Sequence, residues 1–388
     1  MPIIGRIAEL QDEIIGWRRS LHQNPELLFD VYQTAAFVAD RLREFGCDEV
    51  VTGLGRTGVV GLIRGAKGAG SVIGLRADMD ALPMEEQTNL PYRSTIPGRM
   101  HACGHDGHTA MLLGAAKYLT ETRDFQGSVA VIFQPAEEGG GGGREMVNDG
   151  MMERFDIKSV FGMHNLPGLP VGQFAIRQGG IMAATAEFAI KVIGKGGHAA
   201  LPHTAVDPIV TSAQIILGLQ TIASRTIDPT DSLVVSVTQI SAGDSHNIIP
   251  ECVDLVGTVR SLRNEVAKLA EERMRAICTN IAAAYGAEAE LDYRPSYPIT
   301  FNHAAETVLA AAVASEVAGA DQVDSNVSPV MAGEDFSFML QARPGAMIFL
   351  GNGDSAGLHN PNYDFNDNAI PFGVSYWVRL AETALAQG

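Results

Sequence analysis

The feature that most constrains this chain is a series of short, almost uninterrupted apolar runs. They lie at 58–64 (GVVGLIR), 71–76 (SVIGLR), 128–134 (SVAVIFQ) and 159–164 (SVFGMH), separated by turns and helical stretches such as 105–122. A strand that is apolar on both sides must be covered on both sides, and a mostly parallel sheet with helices on each face does this. Helical spacing of apolar residues appears in 6–22 (Ile7, Leu10, Ile14, Trp17, Leu21) and again in 32–45. In such a sheet, polar groups at the C-terminal ends of the strands collect along one edge, where a site is expected.

After Gly180 the pattern changes. Segments 185–194, 232–242 and 253–260 alternate as half-buried strands, and long helical stretches at 207–225 and 264–285 lie between and after them. Strands followed by helices, twice, indicate a small α+β unit with helices on one face. From about Tyr297 the first rhythm returns, with a helix at 303–317, a strand at 346–350 and a C-terminal helix at 370–386. The expected fold class is α/β. Residues 1–182 and 297–388 would form a discontinuous, mostly parallel-sheet domain, interrupted by an inserted α+β domain at 183–296. A length of 388 residues suits two domains.

Composition narrows the function classes. At 46% hydrophobic and 19% charged residues the chain can bury a core, which argues against disorder. Lys and Arg number 28 against 45 Asp and Glu, and the resulting net charge of −17 repels phosphate backbones and anionic lipid. Neither nucleic acid nor a membrane surface is an expected partner. No apolar run approaches the ~20 residues of a membrane span. The opening MPIIGRIAELQDEIIGWRRS lacks the apolar core of a secretory signal, so a cytoplasmic setting is expected. There Cys47, Cys103, Cys252 and Cys278 would be free thiols.

The densest polar cluster is HACGHDGH at 101–108. With a helix beginning near Gly104, His105 and His108 share a face and Cys103 sits in the turn before it. The spacing is metal-like, but a polar helix start would look the same, and no second closely spaced pair follows. Glu137 and Glu138 leave the apolar run at 128–133 side by side, ahead of Gly139–Gly143. Adjacent carboxylates at a buried strand end need positive charge nearby, which a metal centre would supply; a solvated loop with a glycine hinge is the other reading. The glycine run lacks the Lys-Ser/Thr of a phosphate loop. His164 and His359 each follow an apolar strand as well. Cys103, His105, Glu138, His164 and His359 can therefore converge, and five such donors suit two cations better than one tetrahedral zinc. Thiolate, imidazole and carboxylate together admit Zn, Mn, Co or Ni. Asp78 and Asp80, at the end of the 71–76 run, read as carboxylates that orient histidines, Asp80 above all. They could instead be ligands or pair with Arg76. Glu334 and Asp335 read either as groups at the catalytic edge or as a capping pair for a helix at 334–341, the capping reading being preferred.

Taken in order, RADMDALP (76–83), MHACGHDGHTA (100–110), PAEEGGGG (135–142), GMHNLP (162–167), GKGGHAALPH (194–203), HNIIPE (246–251), GTVR (257–260), AGEDFS (332–337) and LHNPNYDFND (358–367) span nearly the whole chain. Together they resemble the dinuclear-metal amidohydrolases of the aminoacylase and carboxypeptidase G2-like metallopeptidase family. The branch they resemble holds hippurate hydrolase, the indole-acetyl-amino-acid hydrolases and N-acetyldiaminopimelate deacetylase. The resemblance implies an α/β catalytic domain with an inserted lid that mediates dimerisation. It also implies two divalent ions held by Cys103, His105, Glu138, His164 and His359, with Asp80 in support and Glu137 as general base on a water between the metals. Where many members place a His, this chain has Asp78, so Cys103 is the implied substitute. His198 matches a lid histidine that steadies the oxyanion, often from the partner subunit, and Asn247 and Arg260 match residues that hold a substrate carboxylate. The implied reaction is hydrolysis of an N-acyl amino acid, with a homodimer through the lid. A dipeptidase or aminopeptidase of the same fold, and a metal-stabilised binding protein, are the alternatives. A serine hydrolase is disfavoured, since no Gly-x-Ser-x-Gly elbow appears.

Overall fold

The computed structural model describes residues 4–386. The chain divides into two units. The first takes in the chain up to Ile181, Phe301–Ser328 and the segment from Asp335 on; the second is Met182–Thr300 with Pro329–Glu334. The short return segment 329–334 was not among the expected boundaries.

In the first unit, α1 (Gly5–Gln23) and α2 (Tyr32–Phe45) precede a hairpin of β1 (Glu49–Leu54) and β2 (Gly58–Arg64). Then follow β3 (Val72–Asp78), α3 (His105–Thr122), β4 (Ser128–Gln134), the short helices α4 (Gly142–Asn148) and α5 (Met151–Arg154), β5 (Ile157–Pro167) and β6 (Phe174–Ala175). Strand β7 (Gly179–Met182) lies where the chain leaves this unit. The second unit holds β8 (Ala184–Ile193), β9 (Gly197–His198), α6 (Pro208–Thr221), β10 (Leu233–Ala242), β11 (Ile248–Ile249), β12 (Cys252–Ser261), α7 (Asn264–Ala284) and β13 (Glu288–Pro295). After β14 (Thr300–Asn302) the first unit resumes with α8 (Ala304–Ala318), β15 (Val323–Asp324), α9 (Ser337–Ala342), β16 (Gly345–Gly353) and α10 (Ile370–Ala386).

The main sheet runs β1-β2-β4-β3-β5-β16-β6-β15. Its centre, β4-β3-β5-β16, is parallel, while β1, β2 and β6 pair antiparallel with their neighbours on the list's inner side. The run 58–64, expected to be one more parallel strand, is antiparallel to β4 because a tight turn at 55–57 folds it back from β1. Parallel register brings Asp78 of β3 beside Gln134 of β4, and His164 of β5 beside Phe349 of β16, so the polar strand ends share one edge. The central strands are buried over most of their length, as their largely apolar sequence requires, with Lys158 near the start of β5 exposed. Helix α3 is buried on nearly every side and packs against α1, α2, α10 and β3.

The second unit is an antiparallel sheet, β10-β12-β8-β13, whose inward residues (Phe188, Ile190, Leu255, Val259) pack with Ile215 and Leu219 of α6 and Met274 of α7. Strand β13 went unread in the sequence. Its EAELDYRP alternates, but acidic residues fill the outward positions of an edge strand and dilute the apolar signal. No helix among the described residues is long and apolar enough to cross a membrane.

Leu113 lies fully buried on α3 in the main core. Leu113→Ala should lower the unfolding free energy by about 2–5 kcal/mol, read as a shift of the urea midpoint; an unchanged midpoint would show that this layer is not the packed core described.

Candidate functional site

The edge formed by β3, β4, β5 and β16 is built around buried charge. Arg76, near the end of β3, has side-chain exposure of 0% and donates from Nε to Gln134, from Nη1 to Asp78 at 2.8 Å and from Nη2 to Asp335 at 3.0 Å. Asp78 takes a second contact from His108 Nδ1 at 2.7 Å, and His108 Nε2 accepts the backbone N–H of Asn165. Asp78 is thus held by a guanidinium and an imidazole, and burial is outweighed by His105, Arg76 and His108, which keep its carboxyl well below the usual range. Asp335 also accepts from Gln134 and from the backbone N–H of Gly143. The expected capping role for Glu334 and Asp335 is corrected here. Helix α9 begins only at Ser337, has no side-chain cap, and Asp335 instead spends its carboxylate on Arg76, Gln134 and the start of α4.

Two residues past β3, the chain reaches Asp80, whose Oδ1 and Oδ2 accept the backbone N–H groups of Glu137 and Glu138 at 2.9 and 3.1 Å. Its backbone carbonyl accepts from His105 Nδ1 at 2.7 Å. Asp80 thus contacts a histidine through its main chain, while its carboxylate organises the Glu137–Glu138 turn. That turn is strained, with Ala136 at φ 54°, pinned by its N–H to Leu28 O. Gly142 is obligatory beneath it, since a Cβ there would lie 1.7 Å from Pro135 O.

With Nδ1 tied to Asp80 O, His105 presents Nε2, which has no hydrogen-bond partner and lies 3.9 Å from Glu138 Oε1. Glu138 Oε1 is likewise a buried atom without a hydrogen bond, 3.3 Å from His359 Nε2. His164 donates from Nδ1 to Asn165 O and turns Nε2 to Cys103 Sγ at 3.4 Å. Two donor groups share Cys103, Cys103/His105/His164 and Cys103/Glu138/His359, each with ligand atoms within 4.8 Å of one another; Asp78/His105/His108, His105/Glu137/Glu138 and Glu137/Glu334/Asp335 cluster equally closely. All five expected ligands are therefore together. His359 is the outlier in setting, with a side chain 55% exposed and a left-handed backbone at φ 60°.

The electrostatics of these groups are those of a site made for positive charge. Burial, with Glu138 adding, pushes the Cys103 thiol up to about 12, so only a cation would make it a thiolate at neutral pH. Burial and the neighbouring imidazole of His108 keep His164 well below its ordinary value, leaving its Nε2 lone pair available. Burial opposes charge on His105, yet Asp78 and Cys103 raise it well above the ordinary imidazole value. Burial also opposes the Glu138 charge, but His359 and His105 hold its carboxyl below normal. Glu137 stands beside this set, buried, and accepts from the Asp335 N–H at 3.4 Å.

In the second unit, His198 pairs with Ile248 across β9 and β11, which places it next to Asn247; both are exposed. Arg260 is not with them. Register puts Cys252 opposite Ile193 and Arg260 opposite Thr185, at the other end of β12, roughly 26 Å along the strand at ~3.3 Å per residue. Its guanidinium contacts Thr258 Oγ1 and Val259 O, and burial lowers its pKa.

A donor set of this composition, resting on a C-terminal strand edge, accords with what comparison with known proteins finds. Residues 74–383 match the model of peptidase family M20/M25/M40. The chain belongs to this family. It is 44% identical over 381 residues to hippurate hydrolase of Campylobacter jejuni, covering 98% of this chain and 99% of that one. It is 39% identical to N-acetylcysteine deacetylase of Bacillus subtilis, covering 96% and 97%. Among solved structures it superposes on the Bacillus subtilis YXEP protein, described as a dinuclear metal binding peptidase of the M20 family, with a TM-score of 0.86, 36% identity and coverage of 98% and 99%. Members of the M20 family with these names are hydrolases, and the largely parallel α/β fold is theirs.

Sequence reasoning missed the partners that hold the ligands: Arg76 with Asp335, Asn165, and a separate cluster of Arg18, His22 and Asp106. A signal for the last existed. Arg18 and His22 follow Ile14 at steps of four, so they continue the inward face of α1 although both are polar, and both are fully buried. His22 Nδ1 lies 2.8 Å from Asp106 Oδ2 and its Nε2 3.4 Å from Glu86, with Arg18, Tyr92 and His101 around it. Burial works against its charge, but Asp106 and Glu86 raise its pKa from 6.5 to about 9. A raised folded-state pKa gives stability that is complete below 6.5 and lost as pH climbs through 9. His22→Gln should therefore cost up to about 3 kcal/mol near pH 6 and progressively less toward pH 9.5, measured by urea unfolding of metal-free protein. A cost independent of pH would show that His22 is not charged in the folded state.

Proposed function

We propose that this protein is a metal-dependent amidohydrolase that cleaves N-acyl amino acids into a carboxylic acid and a free amino acid. The observation that carries the reading is the Glu137–Glu138 pair: two adjacent carboxylates on one Asp80-held turn, both within reach of His105, of which Glu138 also stands with Cys103 and His359 and Glu137 with Glu334 and Asp335. Cys103, His105, Glu138, His164 and His359 would hold two divalent cations, and the buried His105 Nε2 and Glu138 Oε1, neither of which makes a hydrogen bond, support that fit. Zn, Mn, Co and Ni all suit such a mixed donor set. Cations there would lower the pKa of water and polarise the scissile carbonyl.

The residues of the chain divide the remaining work. Glu137 takes up a proton on its carboxylate and returns it to the leaving amine nitrogen, acting as general base and then general acid. Asp80 fixes the backbone amides of both glutamates, so that neither carboxylate can exchange its task for the other's. His108 and Asn165 hold Asp78 and the His164 segment from the opposite side of β5. His198 would contribute a donor toward the developing oxyanion, and Asn247 and Arg260 would hold the substrate's α-carboxylate, Arg260 with its planar fork; since Arg260 lies at the other end of β12 from His198 and Asn247, two copies would supply them to one substrate. The second unit is proposed as a lid that also joins two copies; the exposed apolar residues Ile209, Val210, Leu217 and Ile240 support this. Four free cysteines support a reducing, cytoplasmic setting.

Glu137→Gln should keep metal stoichiometry while lowering kcat roughly 10²–10⁴-fold, assayed with hippurate and N-acetylcysteine alongside metal analysis. A residual rate within a few-fold of the unaltered protein would remove Glu137 from the mechanism. Chelation should abolish turnover, and a panel of acyl-amino acids and dipeptides with each cation supplied separately tests the substrate class. Preference for dipeptides bearing a free α-amine would replace this reading with a dipeptidase.

A further inference from the structure

Arg18, on α1, is fully buried and belongs to neither donor group. Its Nε lies 3.0 Å from Asp106 Oδ2, its Nη2 donates to Asp364 Oδ1 at 2.5 Å, and its Nη1 stands 3.7 Å from Asp367 Oδ1. Tyr92 and Phe365 flank the guanidinium, their ring centroids 5.0 and 5.7 Å from its carbon. Tyr92 also donates its hydroxyl to Asp364 at 2.8 Å.

The three carboxylates are placed tellingly. Asp106 directly follows His105 at the start of α3, while Asp364 and Asp367 terminate the segment that carries His359. Residues 354–366 contain neither helix nor strand, so no ladder or helical bond fixes where His359 stands. Its half-exposed side chain and left-handed backbone mean that packing alone does not fix it either. Near His359 the main-chain ties to other segments are His359 N–H to Ala102 O and Gln87 N–H to Pro361 O, while Asn352 holds only the far end of the segment, at Asp364 O and Asn366 N–H. A guanidinium that reaches both Asp106 and Asp364 is the charged link between the segments bearing His105 and His359.

Burying a cation among carboxylates is costly unless the geometry is good, and apolar residues of like volume usually serve stability as well. What a planar fork provides is a fixed direction between two carboxylates, which a lysine cannot reproduce. We propose that Arg18 is a positioning residue for the metal centre, its fork tying Asp106 to Asp364 and thereby setting His105 and His359 at the separation that holds two cations. This rests on the ligand set given under Proposed function.

The test is titration of metal-free, full-length protein with Co²⁺, followed by the visible bands of bound cobalt and the ultraviolet band of its thiolate ligand. Arg18→Lys keeps the charge and loses the fork; Asp364→Asn removes only the loop arm and sits at a partly exposed position that tolerates the change. Arg19→Ala, which removes the outer contact to Asp367, is the control. The unaltered protein and Arg19→Ala should take up two equivalents. In Arg18→Lys and Asp364→Asn the first equivalent should bind as before with its thiolate band, and the second about 10–100-fold more weakly, the range typical of losing an outer partner of a ligand. A merely structural arginine would lower the unfolding midpoint and leave the second equivalent untouched; that result in folded variants overturns the proposal. Should Arg18→Lys not fold, Asp364→Asn alone decides. Less than one equivalent in the unaltered protein would instead overturn the ligand set, and this proposal with it.

Discussion

Arg76 enters the polar edge of the sheet from a strand with no access to water, and its donors are divided among Gln134, Asp78 and Asp335. Those three residues belong to β4, to the end of β3 and to the approach to α9. A single buried cation therefore sets how three segments meet. Each carboxylate it holds is then used again: Asp78 orients His108, and Asp335 anchors the N–H of Gly143 and so the glycine-rich turn after Glu138. Removing one partner of such a buried pair typically costs about 3–5 kcal/mol, because the remaining charge has nowhere to go. The candidate site inherits its rigidity from this arrangement.

Around that anchor, negative charge is in excess. Asp78, Asp80, Asp106, Glu137 and Glu138 all lie at or near the ends of β3 and β4 and the start of α3, and the chain as a whole carries −17. The raised His105 and His359 and the depressed Glu138 express the same demand for positive charge. An overall acidic chain discourages nucleic acid, yet under the proposed function two buried cations would be enough to receive a carboxylate substrate. Net charge excludes partners by size and reach, since screened fields fade over about 10 Å while contacts at a buried site do not.

Much of this was legible in the residues themselves. The apolar runs at 71–76, 128–134 and 159–164 predict the parallel centre because strands covered on both faces have no polar alternation to show. Cys103, His105, Glu138, His164 and His359 stand out because each follows such a run or opens a helix. The edge strand β13 and the antiparallel turn-back of β2 were not legible, since pairing direction depends on a three-residue turn and edge strands carry mixed polarity. Asp335 was misread for a related reason. An acidic residue ahead of a short helix looks the same whether it caps that helix or reaches back to an arginine far away in sequence.

By itself, then, the sequence determined the kinds of chemistry present and the order in which they leave the sheet. Residue type and periodicity are local properties, and local sterics and burial read them directly. The tertiary structure alone decided which atoms face each other: that Asp80 holds Glu137 and Glu138 by their amides, that Cys103 belongs to both donor groups, and that Arg260 lies far along β12 from His198. These are matters of register and of contacts between residues tens to hundreds of positions apart. They are set by how the strands and helices pack, and no periodicity along the chain encodes that distance.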